Sequence, residues 1–304
     1  MEKILKIGTR GSPLAVIQAE EVRDRLLAQH EGLSVEIVII RTTGDKVQDR
    51  TLSEIGGKGL FTKEIEEALF EGGIDIAVHS MKDVETVLPD GLGISTLLPR
   101  EDPRDAFISN KADSLAALPA GSIFGTASLR RQAQIRMIRP DLNVQPIRGN
   151  VNTRLRKLND GEADATMLAY SGLRRLDMAD VATCLMEPDE MLPAVAQGAI
   201  GVEGRIDDVE TLELLSAIHD RDTAYQVDAE RALLAALDGS CRTPIAALAE
   251  LTGGSGLRLR GLVASPDGSQ SHTVLREGSV SDAAALGRDA GEELRSLAGP
   301  GIFA

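Results

Sequence analysis

Aromatic side chains make up only 2% of this 304-residue chain: tryptophan is absent, and five phenylalanines and two tyrosines are the whole stock. Platforms that stack single-stranded nucleic acid depend on such rings, so that class of partner is disfavoured. Positive charge is also short. Lys and Arg number 33 against 47 Asp and Glu, a formal charge of -14, which opposes non-specific binding to phosphate backbones. No apolar run reads as a membrane span, and the opening MEKILKIGTRGSP lacks a signal-peptide core. The two cysteines, Cys184 and Cys241, lie far apart, and the four histidines are scattered. Neither a disulfide framework nor a metal site is expected, and the thiols are expected reduced in the cytoplasm.

What the chain does have is a local reversal of charge. Between Thr126 and Lys157 stand eight basic residues (Arg130, Arg131, Arg136, Arg139, Arg148, Arg154, Arg156 and Lys157) and a single acid, Asp141. GTASLRR and RGNVNTR each place small or capping residues just before a helical run. Helix N-termini attract anions, and arginine adds two-pronged hydrogen bonding to carboxylate or phosphate. Arg130, Arg131, Arg148 and Arg154 are therefore read as anion-binding. Arg136, Arg139 and Arg156 fall within polar helical runs and are read as solvated helix faces.

Hydrophobic content of 42% supports well-buried cores, and the length suits two or three domains. The first half alternates strand and helix: strand Lys3–Gly8, a helix opened by Ser12-Pro13 with Ala15, Ala19, Val22 and Leu26 on one face, strand Val35–Ile40 of the buried parallel type, a polar loop at 41–53, helix Gly59–Phe70 and strand Ile74–Val78. The pattern repeats beyond PREDPR, through strand 106–109, strand 123–125, helix 129–138, strand Leu142–Ile147, helix 151–158 and strand 163–169. Two proline-bearing crossings, 99–104 and 187–193, suggest paired α/β lobes with a hinge and a cleft. From about Asp222 a long helix, three strands and a final helix indicate an α+β domain with an antiparallel sheet.

Cys241 sits in LDGSCRTP, after a glycine that stops a helix, among polar and basic neighbours that favour the thiolate. An inert loop thiol is an equally good reading of that residue alone. Cys184, in VATCLM, reads as a small core residue. HSMKD (His79 to Asp83) follows a strand at the end where α/β ligand sites occur; Lys82 suits carboxylate binding or a Schiff base, and Asp83 suits acid, base or cation-stabilising work. A surface Lys–Asp pair is the plainer alternative. Gly56-Gly57-Lys58-Gly59 lacks Walker spacing and reads as a flexible loop.

Taken together, TRGSPLA, GGKGLFTKEIE, DIAVHSMKDV, EDPRDAF, GTASLRRQAQ, RGNVNTRLRKL, LPAVAQGAIG and DGSCRTPIAA occur in one order over roughly Ile4 to Ala247. In this the chain closely resembles the porphobilinogen deaminase (hydroxymethylbilane synthase) family of tetrapyrrole biosynthesis. The resemblance implies two lobes like a periplasmic binding protein and a third domain: 1–98 with 199–219, then 104–192, then 222–304. It implies a transferase that deaminates and condenses four porphobilinogen molecules, stepwise and head to tail, onto a dipyrromethane cofactor tethered by a thioether to Cys241. Hydrolysis then releases hydroxymethylbilane.

By the same resemblance Asp83, Arg10 and Arg148 are catalytic, and Lys82, Ser80, Thr126, Ser128, Arg130 and Arg131 hold the cofactor with Cys241. Arg10, Ser12, Arg148, Arg154, Arg175, Gln197 and Phe61 meet substrate. Porphobilinogen is the implied partner; the composition and the lack of a signal or span read as a cytoplasmic protein without nucleic acid or membrane, and the lack of a long apolar helix or heptad reads as a monomer. The chain departs from the family at Ala127, where a second serine is common, at Glu85, where proline is usual, and at Glu54, where some members are basic. A cytoplasmic receptor for a small polycarboxylate is the competing reading, but it leaves Cys241 and Asp83 without a task. An ordinary thiol enzyme leaves the arginines without one.

Overall fold

The computed structural model describes residues 4–46, 62–239, 243–299 and 302. In chain order the elements are β1 (Ile4–Arg10), α1 (Pro13–Gln29), β2 (Ser34–Ile40), α2 (Thr43–Lys46), α3 (Lys63–Phe70), β3 (Ile76–Ser80) and β4 (Leu92–Leu97). There follow β5 (Asp105–Ser109), β6 (Ile123–Gly125), α4 (Leu129–Ile138), β7 (Asn143–Gln145), α5 (Val151–Asn159), β8 (Ala165–Ala169), α6 (Tyr170–Arg175) and β9 (Cys184–Leu185). The chain continues with β10 (Ile200–Arg205), α7 (Val209–Ser216), α8 (Arg221–Ala236), β11 (Ile245–Leu251), β12 (Gly256–Ala264), β13 (Ser271–Ser279) and α9 (Ala283–Ala298). Two compact units result: 1–101 with 199–224, and 102–198 with 225–304.

In the first unit the sheet order is β2-β1-β3-β10-β4. β1 pairs in parallel with β2 and β3, and β10 returns antiparallel between β3 and β4. One face buries Leu5, Ile7, Ile76, Val78, Ile200 and Val202 against Ala19, Val22 and Leu26 of α1. The other carries Ala77 and Ile74 beneath Ile65 and Leu69 of α3. The run Val35–Ile40 is not fully buried as its composition suggested. β2 is the edge strand, so one flank has no neighbour and Ile39 remains 48% exposed.

The second unit holds a sheet of order β7-β6-β8-β5-β9 and an antiparallel sheet β11-β12-β13. The α/β plan of two lobes plus a C-terminal α+β portion is thus as expected. β7 is shorter than the strand read from Leu142 to Ile147. Pro146 follows it directly and has no N–H to extend the ladder. The C-terminal sheet joins the lobe through Ala133 of α4 and Leu192, packed with Ala246, Leu248, Leu262 and Ala264. α9 lies close on α8, with Gly287 and Gly291 where a Cβ would meet Ala229 O at 2.1 Å and Leu233 O at 2.6 Å.

Candidate active site

The site residues implied by the sequence divide between the units. In the first unit, Ser12 caps α1, accepting the Ala15 N–H at 3.4 Å with Pro13 opening the helix. Arg10 ends β1, so both face the same end of the sheet as the turn that follows β3. β3 runs two residues further than the apolar run suggested, to Ser80, which places His79 and Ser80 inside the strand. Met81–Asp83 then forms one 3-10 turn. Met81 anchors it: its N–H donates to Ala199 O at 3.0 Å and its side chain is 1% exposed. Gly201 makes that possible, because a Cβ there would lie 2.1 Å from Met81 Sδ.

Asp83 is left exposed at the rim of a hollow lined by Arg10, Ser12, Gln18, Val78, His79 and Ser80 among others. Ser80 Oγ accepts from Gln18 Nε2 at 2.9 Å and lies 3.0 Å from Gln18 Oε1. His79 Nε2 lies 2.8 Å from Glu203 Oε2, with both side chains buried. Lys82 is half-buried. Phe61 and Cys241 lie outside the described residues, as do Glu54 and Gly56 to Gly59.

In the second unit two helix starts carry the arginines. Ser128 caps α4, accepting the Arg131 N–H at 3.4 Å, while buried Thr126 Oγ1 accepts the Ser128 N–H at 3.2 Å. Asn150 caps α5 through the Thr153 N–H at 2.9 Å. Gly149, before it, has φ +120, and a Cβ would meet Thr153 Cγ2 at 2.5 Å. Arg154 Nε donates to Gly149 O at 2.8 Å, and Arg175 donates from both Nη atoms to Gly198 O at 3.2 Å.

Arg130 and Arg131 are both 5% exposed and share one carboxylate, Asp105, which is fully buried. Arg130 Nη2 donates to Asp105 Oδ2 at 2.8 Å, Arg131 Nη2 donates to Oδ1 at 2.7 Å, and Gln197 Nε2 donates to Oδ1 at 2.8 Å. Burial pushes the Asp105 carboxyl up, but the two guanidiniums and the bonds from Arg131 and Gln197 outweigh it, leaving it well below the ordinary carboxylate range. Burial pulls Arg130 down from the usual arginine value, yet a guanidinium stays cationic at any working pH.

One carboxylate for two buried cations leaves net positive charge at this helix start. Arg130 Nε and Arg148 Nη1 are buried and make no hydrogen bond among the described residues. The excess of guanidinium over carboxylate at this helix start suits a ligand carrying several carboxylates.

Two arginines set aside as solvated helix faces are otherwise engaged. Arg139 ends α4 and donates to Leu115 O, Ala116 O, Leu118 O and Asp141, because the last turn of α4 lies against the 115–118 segment. Arg136 Nη1 donates to Pro266 O at 2.6 Å, reaching the C-terminal sheet that packs on α4. Arg156 is exposed, as read. Cys184 is half-buried in β9 and burial raises its thiol, in line with a packing role. Sequence reasoning missed Asp105 and Glu203 as individual residues. Their signal is a lone acid in a short, mostly apolar strand, DAFIS and IGVEGR.

Among the described residues no helix is long and apolar enough to cross a membrane, and no cluster of His, Cys, Asp and Glu could hold a metal ion. Residues 5–213 match the family model of the porphobilinogen deaminase dipyrromethane cofactor binding domain, and 224–296 match that of the porphobilinogen deaminase C-terminal domain. Porphobilinogen deaminase of Paracoccus denitrificans is 59% identical over 302 residues, 98% of this chain and 96% of that one. The chloroplastic porphobilinogen deaminase of Oryza sativa subsp. japonica is 55% identical over 306 residues, 99% of this chain and 86% of that one. Among solved structures the methionine-binding protein MetQ overlaps 75% of this chain and 94% of its own at 16% identity, with a TM-score of 0.47. With both domain models matched in order and more than half of the residues shared along nearly the whole length, the chain belongs to the porphobilinogen deaminase family.

Proposed function

We propose that this chain is a porphobilinogen deaminase, a transferase that joins four porphobilinogen molecules head to tail and releases hydroxymethylbilane. The observation that carries this reading is the surplus of guanidinium charge at two helix starts, where Arg130 and Arg131 share the single carboxylate of Asp105 and Arg148 Nη1 makes no hydrogen bond among the described residues. A chain of pyrroles bearing acetates and propionates meets that demand, where a lone small anion leaves most donors unused. The cofactor is a dipyrromethane joined by a thioether to Cys241. When bound, it supplies the pyrrole carbon onto which new units are added. Arg130, Arg131, Thr126, Ser128, Lys82 and Ser80 hold its carboxylates and ring N–H groups; Arg10, Ser12, Arg148, Arg154, Arg175, Gln197 and Phe61 receive the incoming substrate.

Loss of ammonia from porphobilinogen leaves positive charge on the pyrrole. The Asp83 carboxylate opposes that charge at the hydrogen-bond distance a pyrrole N–H allows, and moves protons at its oxygens. Arg10 and Arg148 hold the carboxylates of the reacting ring, which converts an encounter into a fixed orientation. The protein works as a cytoplasmic monomer.

Intact mass tests the cofactor assignment. The purified protein is expected to carry the mass of two pyrrole units, and Cys241→Ser is expected to lack it and to consume no porphobilinogen. An unmodified, inactive parent protein would point instead to a polycarboxylate receptor.

A further inference from the structure

His79, which lines the same hollow as Asp83, belongs to a buried pair that the roles above do not use. His79, on β3, and Glu203, on β10, stand diagonally on one face of the sheet, since His79 is opposite Gly201 in register. His79 Nε2 is 2.8 Å from Glu203 Oε2, and the side chains are 5% and 0% exposed. Glu203 Oε1 is buried and has no hydrogen-bond partner among the described residues. A carboxylate so enclosed is costly unless a cation or a donor compensates it, and the described residues give it only the imidazole.

His79 also lines the hollow that Asp83 borders, and no described residue hydrogen-bonds its Nδ1. The charged groups around the ring come from four elements: Glu203 from β10, Glu66 from α3, Arg10 from the end of β1 and Asp83 from the turn after β3. Burial raises the Glu66 carboxyl, the charges of Glu203 and Glu85 add to the rise, and His79 opposes it, so these acids and the imidazole share one field.

We propose that Glu203 is a positioning residue that holds His79 in a single tautomer, Nε2–H toward its own carboxylate, so that the Nδ1 lone pair is presented beside Asp83 as a proton acceptor. The inference rests on the deaminase reading. Each condensation replaces a ring C–H by a C–C bond and breaks a C–N bond. The C–H electron pair returns to the ring, ammonia leaves with the C–N pair, and one proton must be taken up. Nδ1 receives that proton, Glu203 neutralises the imidazolium, and the proton departs with ammonia as ammonium. A carboxylate behind a histidine fixes ring orientation and raises basicity in just this way at other sites.

Nitrogen NMR of protein labelled with 15N-histidine gives a readout independent of turnover. The chain has four histidines, and His79→Asn identifies the relevant signal. The parent is expected to show one tautomer at His79 with Nε2 protonated. Glu203→Gln is expected to show a mixture while carrying the same pyrrole adduct as the parent by intact mass. Its kcat should fall about tenfold or more at a KM within about twofold, and its pH–rate profile should lose the limb that His79→Asn also loses. The double variant should be no slower than the worse single one, and Glu203→Asp should recover part of the rate.

An unchanged tautomer in Glu203→Gln, or a kcat and pH profile like the parent's, overturns the proposal. If Glu203→Gln does not fold, Glu203→Asp and His79→Asn decide the same question. A parent protein that does not consume porphobilinogen removes the deaminase reading and this inference with it. An active parent with indifferent variants removes this inference alone.

Discussion

Asp83→Asn is expected to lower porphobilinogen turnover about a hundred- to ten-thousand-fold, the range of a lost general acid–base or charge-stabilising group. At about 1.4 kcal/mol per decade this is roughly 3–5.5 kcal/mol of transition-state stabilisation. The geometry isolates the chemical effect. The 3-10 turn is anchored by Met81 and its bond to Ala199 O rather than by the Asp83 side chain, so an amide of the same shape should leave the backbone in place. Asp83 is exposed, and an exposed substitution away from packing shifts stability by about 0.5 kcal/mol or less. The variant should therefore melt like the parent and, by intact mass, still carry its pyrrole adduct. Steady-state assays and intact mass separate the outcomes. Near-parent turnover would exclude Asp83 from the chemistry, and loss of the adduct would place its effect in cofactor assembly instead.

What could be read from the sequence follows from how local the causes are. Ser12-Pro13, Ser128 and Asn150 were legible as helix starts because a cap bonds an N–H three residues away. The ordered motifs made the family legible before any distance was known. Asp105 was not legible, because its partners are 25, 26 and 92 residues distant. Glu203 meets His79 across 124 residues for the same reason. The arginine-rich stretch reads as an anion site, and the anion that Arg130 and Arg131 grip within the described chain is its own Asp105. Arg139 and Arg136 looked solvated because sequence cannot show which segment packs against a helix end.

Asp105→Asn is expected to be the most destabilising of the conservative changes. The amide keeps the shape but removes the one carboxylate between two guanidiniums that are 5% exposed. Breaking a buried pair in this way costs about 3–5 kcal/mol, chiefly because charge stays buried without compensation. Here two charges are left, and Gln197 Nε2 would meet either an amide oxygen or another donor. At about 2–4 °C per kcal/mol for a chain above 150 residues, the melting temperature should drop by roughly 6–20 °C. Acid provides the sign test. The folded Asp105 carboxyl is held below its ordinary value, and an unfolded Asp titrates near about 3.9. The unfolded state therefore takes up the proton first, so Asp105's contribution is complete above about pH 5 and is lost as pH falls from about 4 toward the depressed folded value. Thermal melts at neutral pH and in mild acid check this: the gap between parent and variant should be constant above about pH 5 and narrow below about pH 4. A gap under about 1 kcal/mol at neutral pH would mean that Arg130 and Arg131 are stabilised without Asp105. A full gap with unchanged cofactor loading would mean that Asp105 holds the fold but does not aim Arg131.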